Sequence, residues 1–222
     1  MPSLTVENYI KAIYQIGVGQ PSQTAATGQI ASTLGVSPGS VTSMLKTLGE
    51  SGLVTYTPYE GVQLTSSGNA LALRVLRRHR LIELFLAKTL RLSWDEVHEE
   101  AEHMEHAVSD LLVDRIDDYL GHPEVDPHGD PIPRADGSVD VRDARPLVEC
   151  NVGEKFRLAR VIDQSPQFLR YLTDAGLTLG TSGEVLGNSS ESETLEIRCL
   201  GKAITLGHTA AAKLLVTAVD ER

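Results

Sequence analysis

The stretch His98-Glu99-Glu100-Ala101-Glu102-His103-Met104-Glu105-His106 is built almost wholly from carboxylates and imidazoles. These are the donors that divalent cations take. Helical spacing sorts them. At roughly 100° per residue, His98, Glu102, Glu105, His106 and Ser109 share an arc of about 100°. Val97, Ala101, Met104, Val108 and Leu112 fill the adjacent, apolar arc, and Glu99, Glu100, His103, Asp110 and Asp114 point to water. A ligand stripe that borders an apolar stripe differs from a plain solvated face. His79 and Glu83 add an i, i+4 pair on the preceding helix, and Asp126, His128 and Asp163 bring the same donor types from further along. Two enzyme patterns fit poorly. A zinc-protease His-Glu-x-x-His needs its histidines four apart; His98 and His103 are five apart, roughly 140° around the helix. Glu100-x-x-His103 matches half of a di-iron carboxylate motif, with no second copy in the chain.

The N-terminal part has its own pattern. Val6 to Ile16 reads as a helix, and Pro21-Ser22-Gln23 breaks it. Thr27 to Leu34 forms a second helix. Gly35-Val36 makes a tight turn, and Ser37 with Pro38 caps a third helix that ends near Gly49-Glu50-Ser51-Gly52. Two short helices across a glycine turn predict a helix-turn-helix. The segments 53–56 and 61–65, separated by Thr57-Pro58-Tyr59-Glu60, predict a β-hairpin wing. The start of the third helix offers Ser37, Pro38, Gly39, Ser40, Thr42, Ser43 and Lys46, small or cationic groups suited to DNA phosphates and base edges.

Ser66 to Leu92 reads as one long helix and Trp94 to Leu120, capped by Ser93, as another. Their broad apolar faces suit a homodimer, which would space two recognition helices on a palindrome. Five prolines between Gly121 and Pro146 make a connector. Short alternating segments at 155–162, 183–186, 194–198 and 202–206, with a helix near 166–175, predict a small β-barrel.

The chain has 222 residues and a net charge of −10. Acidity is uneven. Residues 1–80 hold three acids and six bases, and residues 81–143 hold 17 acids and five bases. The N-terminal part is thus expected to approach phosphate, and bound cations to offset the acidic region. Two cysteines, Cys150 and Cys199, do not make a disulfide scaffold. Neither a secretory signal nor a run of about 18 apolar residues is present, so a cytoplasmic protein without membrane contact is expected.

Several motifs together resemble the metal-dependent repressors typified by the diphtheria toxin repressor and the manganese transport regulators. They are Glu7-Asn-Tyr-Ile-Lys-Ala-Ile-Tyr14, the run 37–45, the run 78–83, the run 97–106 and Pro127-His-Gly-x-x-Ile-Pro133. The resemblance implies a mainly α fold with β: a winged helix-turn-helix over 1–72, a helical dimerisation and metal-binding domain over 73–143, and an SH3-like, FeoA-like domain over 144–222. It implies a repressor of metal-uptake genes that binds double-stranded operator DNA, not an enzyme. A carboxylate and histidine metalloenzyme, or a DNA-binding regulator with a purely structural metal, is the competing reading. The resemblance also implies two metal positions per subunit. One uses Glu102, Glu105 and His106, with Asn8 reaching from the first helix. The other uses His79, Glu83 and His98, with Asp163, Asp126 and His128. The toxin-repressor branch has Cys where Glu102 stands and Met where Asn8 stands. Harder oxygen donors favour Mn(II), with Fe(II) the alternative. The manganese branch has acids where Asn8 and Lys11 stand, so two separate sites are expected rather than a tight binuclear pair.

Overall fold

A computed structural model describes residues 3–20, 22–140 and 143–219. Pro21, the expected helix breaker, lies outside the described residues. The chain divides into two compact units, Met1–His79 with Pro133–Ser138, and Arg80–Ile132 with Val139–Arg222.

In the first unit, α1 (Leu4–Val18) starts at Ser3, whose hydroxyl accepts the Val6 amide. The helix α2 (Thr27–Leu34) ends at Gly35, where φ is +63°, a left-handed turn that suits glycine. The helix α3 (Pro38–Glu50) begins with the Ser37 cap, Oγ accepting the Ser40 amide at 3.1 Å, and with Pro38 in its first turn. Strands β1 (Val54–Thr57) and β2 (Gly61–Leu64) pair antiparallel with Val54 opposite Leu64. Ala25 bridges Val62 and fastens the wing to the segment before α2. Ile10, Ile13, Ile30, Val41, Leu45, Leu48 and Val62 are buried together in the core. The expected winged helix-turn-helix therefore forms, with α1 extending past the expected ends.

Most bases of residues 1–80 do not lie open to phosphate, contrary to expectation. Of the six bases in residues 1–80, Lys11, Arg77, Arg78 and Arg80 are buried. Arg78 faces Glu7 at 3.7 Å. Amphipathic side chains tucked into a fold do not face phosphate.

The helix α4 (Ser66–Phe85) runs from the first unit into the second and ends in a π-helical turn, Leu86–Leu90, rather than continuing to Leu92. The second expected helix is two. The helix α5 (Val97–Met104) stops, and α6 (Asp110–Leu120) restarts at Ser109, whose hydroxyl accepts the Leu112 amide. Ser109 thus caps a new helix instead of extending the ligand stripe, and Leu112 is exposed rather than part of the apolar one.

Beyond the connector, β3 (Arg145–Pro146), β4 (Lys155–Val161), β5 (Ser182–Ser189), β6 (Thr194–Cys199), β7 (Lys202–Gly207) and β8 (Leu214–Ala218) form one antiparallel sheet in the order β3-β8-β4-β5-β6-β7. The helices α7 (Pro166–Asp174) and α8 (His208–Ala211) accompany it. Phe156, Leu158, Leu169, Leu172, Val185, Ile197 and Leu206 fill its core. Cys150 and Cys199 are buried free thiols, raised above the usual thiol range by burial. Among the described residues no helix is long and apolar enough to cross a membrane.

Candidate metal centre and nucleic-acid interface

In the second unit, three predicted ligands meet in the interior. Glu83 of α4 is 1% exposed, and Asp126 and His128 of the connector are 2% and 0% exposed. One donor atom from each lies within 4.8 Å of the others. His128 Nδ1 stands 3.8 Å from Glu83 Oε2 and 4.0 Å from Asp126 Oδ1. The loop geometry that brings them together is local. Asp126 Oδ1 accepts the amides of His128 at 2.8 Å and Asp130 at 2.9 Å, folding residues 126–130 into a turn.

The imidazole has a defined tautomer. His128 Nε2 donates to the Trp94 carbonyl at 2.7 Å, so in the neutral ring Nδ1 carries the lone pair. Nδ1 is buried and makes no hydrogen bond among the described residues. Such an outer hydrogen bond is the usual way to orient a metal-ligating histidine. The Trp94 ring stacks on His128 at 6.4 Å between centroids. Asp126 has its pKa raised well above the usual carboxylate range, first by burial and then by the charges of Asp130 and Glu83. Two buried carboxylates beside a buried lone pair are costly unless a cation joins them. Two oxygen donors and one imidazole fit a hard or borderline divalent ion.

Of the other predicted ligands, His98 reaches this group directly. His98 Nδ1 lies 3.1 Å from Glu83 Oε1, so Glu83 faces two histidines. His98 Nε2 lies 3.9 Å from Glu102 Oε1. Glu105 is fully buried, with Oε1 3.1 Å from His106 Nε2. His79 is buried on α4, one turn before Glu83. Asn8, on α1, has a buried Oδ1 that accepts no hydrogen bond among the described residues. Asp163 is differently engaged. Its Oδ2 accepts from Lys213 at 2.7 Å and its Oδ1 from the Ser165 amide. The Lys213 hydrogen bond, first, lowers its pKa to about 2. Glu99, Glu100 and His103 are exposed, as their helix positions require. Sequence reasoning missed Trp94, Arg80 and Asp130 around this centre, because none is a metal donor in the expected register.

In the first unit, the predicted DNA-facing residues cluster at the start of α3. Ser37, Pro38, Gly39, Ser40, Ser43 and Lys46 are exposed and Thr42 is half-buried. Ser37 Oγ and Ser40 Oγ are 2.9 Å apart, and Thr42 Oγ1 donates to the Pro38 carbonyl. An open groove of about 580 Å³ runs between Ala26 and Thr27, Thr42 and Lys46, and the wing residues Tyr56 and Pro58 to Gly61. Tyr59 stands fully exposed at the wing tip with φ +69°, a feature the sequence marked only as a turn.

Residues 1–62 match the family "Iron dependent repressor, N-terminal DNA binding domain", residues 65–134 its "metal binding and dimerisation domain", and residues 145–218 the FeoA domain. A manganese-dependent transcriptional repressor solved in complex with manganese is 39% identical, with a TM-score of 0.89 over 96% of this chain and all of that one. The diphtheria toxin repressor of Corynebacterium efficiens is 28% identical over 97% of this chain and 96% of its own length. The iron-dependent repressor IdeR of Mycobacterium tuberculosis is 34% identical over 58% of this chain; the match spans about half of its length, 55%. These relatives are transcriptional repressors rather than enzymes. With three matching domains in order and a manganese repressor's fold over its length, the chain belongs to the diphtheria-toxin-repressor and manganese-transport-regulator family of metal-dependent transcriptional repressors.

Proposed function

We propose that this chain is a cytoplasmic, Mn(II)-activated repressor of metal-uptake genes, with Fe(II) as the alternative activator, and that it binds a palindromic operator as a homodimer. The observation that carries the reading is the buried Glu83–Asp126–His128 group with its unbonded Nδ1, in a chain that also holds a winged helix-turn-helix. Its domains are assigned as 1–72, 73–143 and 144–222. Two sites per subunit are proposed. The first draws on Asn8, Glu102, Glu105 and His106, and the buried, unbonded Asn8 Oδ1 supports its part. The second draws on His79, Glu83, His98, Asp126 and His128, with Asp163 joining only in exchange for Lys213.

A divalent cation supplies the positive charge that lets these donors sit together. The rest is the work of the chain. Asn8 lies on α1, beside Glu7, whose carboxylate faces Arg78 of α4. Fixing Asn8 fixes α1, which shares one buried core with α2 and α3. Ligands that prefer the DNA-competent arrangement raise its population. By reciprocity the operator raises metal affinity by the same factor, typically worth about 1–3 kcal/mol. Glu102 and Asn8 are hard donors, which favours Mn(II) over softer ions. The apolar residues Leu112 and Tyr119, exposed and seven apart on α6, support a dimer contact in the helical domain.

An electrophoretic mobility shift with operator DNA, run with Mn(II) and with a chelator, tests the reading. Retardation is expected only with the metal. Equal retardation in both arms sinks the switch.

A further inference from the structure

Asp130 lies two residues beyond His128, is 8% exposed, and meets side chains from α4 and from residues 160–164. Arg80 of α4 places Nη2 3.7 Å from its Oδ2. Arg160 of β4 forms a close ion pair with its Oδ1. Gln164 Nε2 donates to Oδ2 at 2.7 Å. The same Arg80 holds Nε 3.8 Å from Asp126 Oδ2. One guanidinium is therefore shared between a residue of the metal group and its neighbour Asp130. The main chain fastens the loop to β4 as well. The Val161 amide donates to the His128 carbonyl at 2.9 Å. At Gly129, where φ is +89°, a Cβ would stand 2.1 Å from the Ala159 oxygen.

Charge decides what this arrangement does. An arginine fully paired with Asp126 would compete with a cation for that carboxylate. Arg80 Nη1 donates to the Pro131 carbonyl at 2.5 Å, its charge is divided between Asp130 and Asp126 at 3.7 and 3.8 Å, and Arg160 and Gln164 of the C-terminal domain hold Asp130 in place. We propose that Asp130 is a positioning residue for the Glu83–Asp126–His128 site: it takes a share of the Arg80 charge that would otherwise fall on Asp126 alone, and it ties the metal loop to the FeoA-type domain. The C-terminal domain then acts on metal affinity through Arg160, apart from any ligand it lends through Asp163. The inference rests on that group being a cation site.

The test is Mn(II) titration calorimetry on the full chain, with hydrogen exchange followed across residues 155–161. Glu83→Gln is the reference, and it should remove one class of bound Mn(II). Asp130→Asn should weaken that same class roughly 10–100-fold, the usual cost of losing an outer-shell partner. It should also remove the Mn(II)-dependent slowing of exchange at Val161. The pair Asp130→Asn with Arg80→Gln should recover most of the affinity, which a merely structural role for Asp130 would not produce. Arg80→Gln alone, which does not need the Asp130 variant to fold, should bind Mn(II) more tightly than the parent chain. Unchanged affinity in Asp130→Asn, no recovery in the pair, or weaker or unchanged binding in Arg80→Gln overturns the role given to Asp130. If Glu83→Gln binds as the parent does, it is the cation site itself that fails.

Discussion

At the scale of single residues, the centre is defined less by its acids than by what surrounds one imidazole. His128 could have been a satisfied interior histidine with both nitrogens bonded. Instead Nε2 is bonded to the Trp94 carbonyl and Nδ1 is left to Glu83 and Asp126. Trp94 is the one tryptophan in the sequence, and its ring stacks on that imidazole. Tryptophan emission should therefore fall when Mn(II), a paramagnetic ion, is added to the metal-free chain. A titration read at the tryptophan band checks this, and Glu83→Gln should lose the response. A parent chain whose emission ignores Mn(II) would separate Trp94 from the site. Much of this was legible beforehand: Glu83, Asp126 and His128 are of the residue types that bind metals, and their types alone marked them. Their meeting was not legible, because it depends on a turn closed by two amides on Asp126 Oδ1. Asp163 shows the converse. Its type and position suggested a ligand, and only the structure shows Lys213 on its carboxylate.

At the scale of elements, the N-terminal helices and the wing were readable because each carries its own punctuation. Ser37 with Pro38 starts α3, Gly35 ends α2, and alternation marks β1 and β2. The break between α5 and α6 was masked by a continuous helical period, although Ser109-Asp110 is itself a start signal. The strand β8 escaped because Leu214-Leu215-Val216 is a continuous apolar run rather than an alternating one, yet it lies between β3 and β4 in the sheet. Gly68 tests how tightly α4 seats on the wing. In an open helix, Gly→Ala gains about 1 kcal/mol. Here a Cβ would stand 2.0 Å from the Leu53 carbonyl oxygen and 3.2 Å from Leu64 Cδ2. Gly68→Ala should therefore destabilise the DNA-binding unit, by on the order of 2 kcal/mol, as overpacking does. Thermal unfolding checks the sign; a raised midpoint would refute the contact.

At the scale of the whole molecule, charge is distributed against first appearances. A protein of net charge −10 binds DNA through a unit whose cations are mostly interior. Lys46 on α3 and Arg74 on α4 are the exposed bases among residues 1–80. Affinity should then rest on hydroxyls, main-chain amides and fit more than on counterion release. With about 0.9 of a counterion released per phosphate neutralised, the slope of log affinity against log salt should be no steeper than about −4 for a dimer. Binding measured from low to moderate salt at saturating Mn(II) gives that slope. A value near −8 would require cations that the fold holds inside.

The hydrogen bond from His128 to the carbonyl of residue 94 has a consequence for inheritance. Because the acceptor is a main-chain oxygen, every amino acid at position 94 presents it alike, and no coding change there can abolish it directly. Mutation can strip the aromatic cover from the imidazole while leaving its proton where it is. Orientation of the ligand and shielding of the ligand can thus drift separately over generations, the first held by the path of the backbone and the second open to selection one side chain at a time.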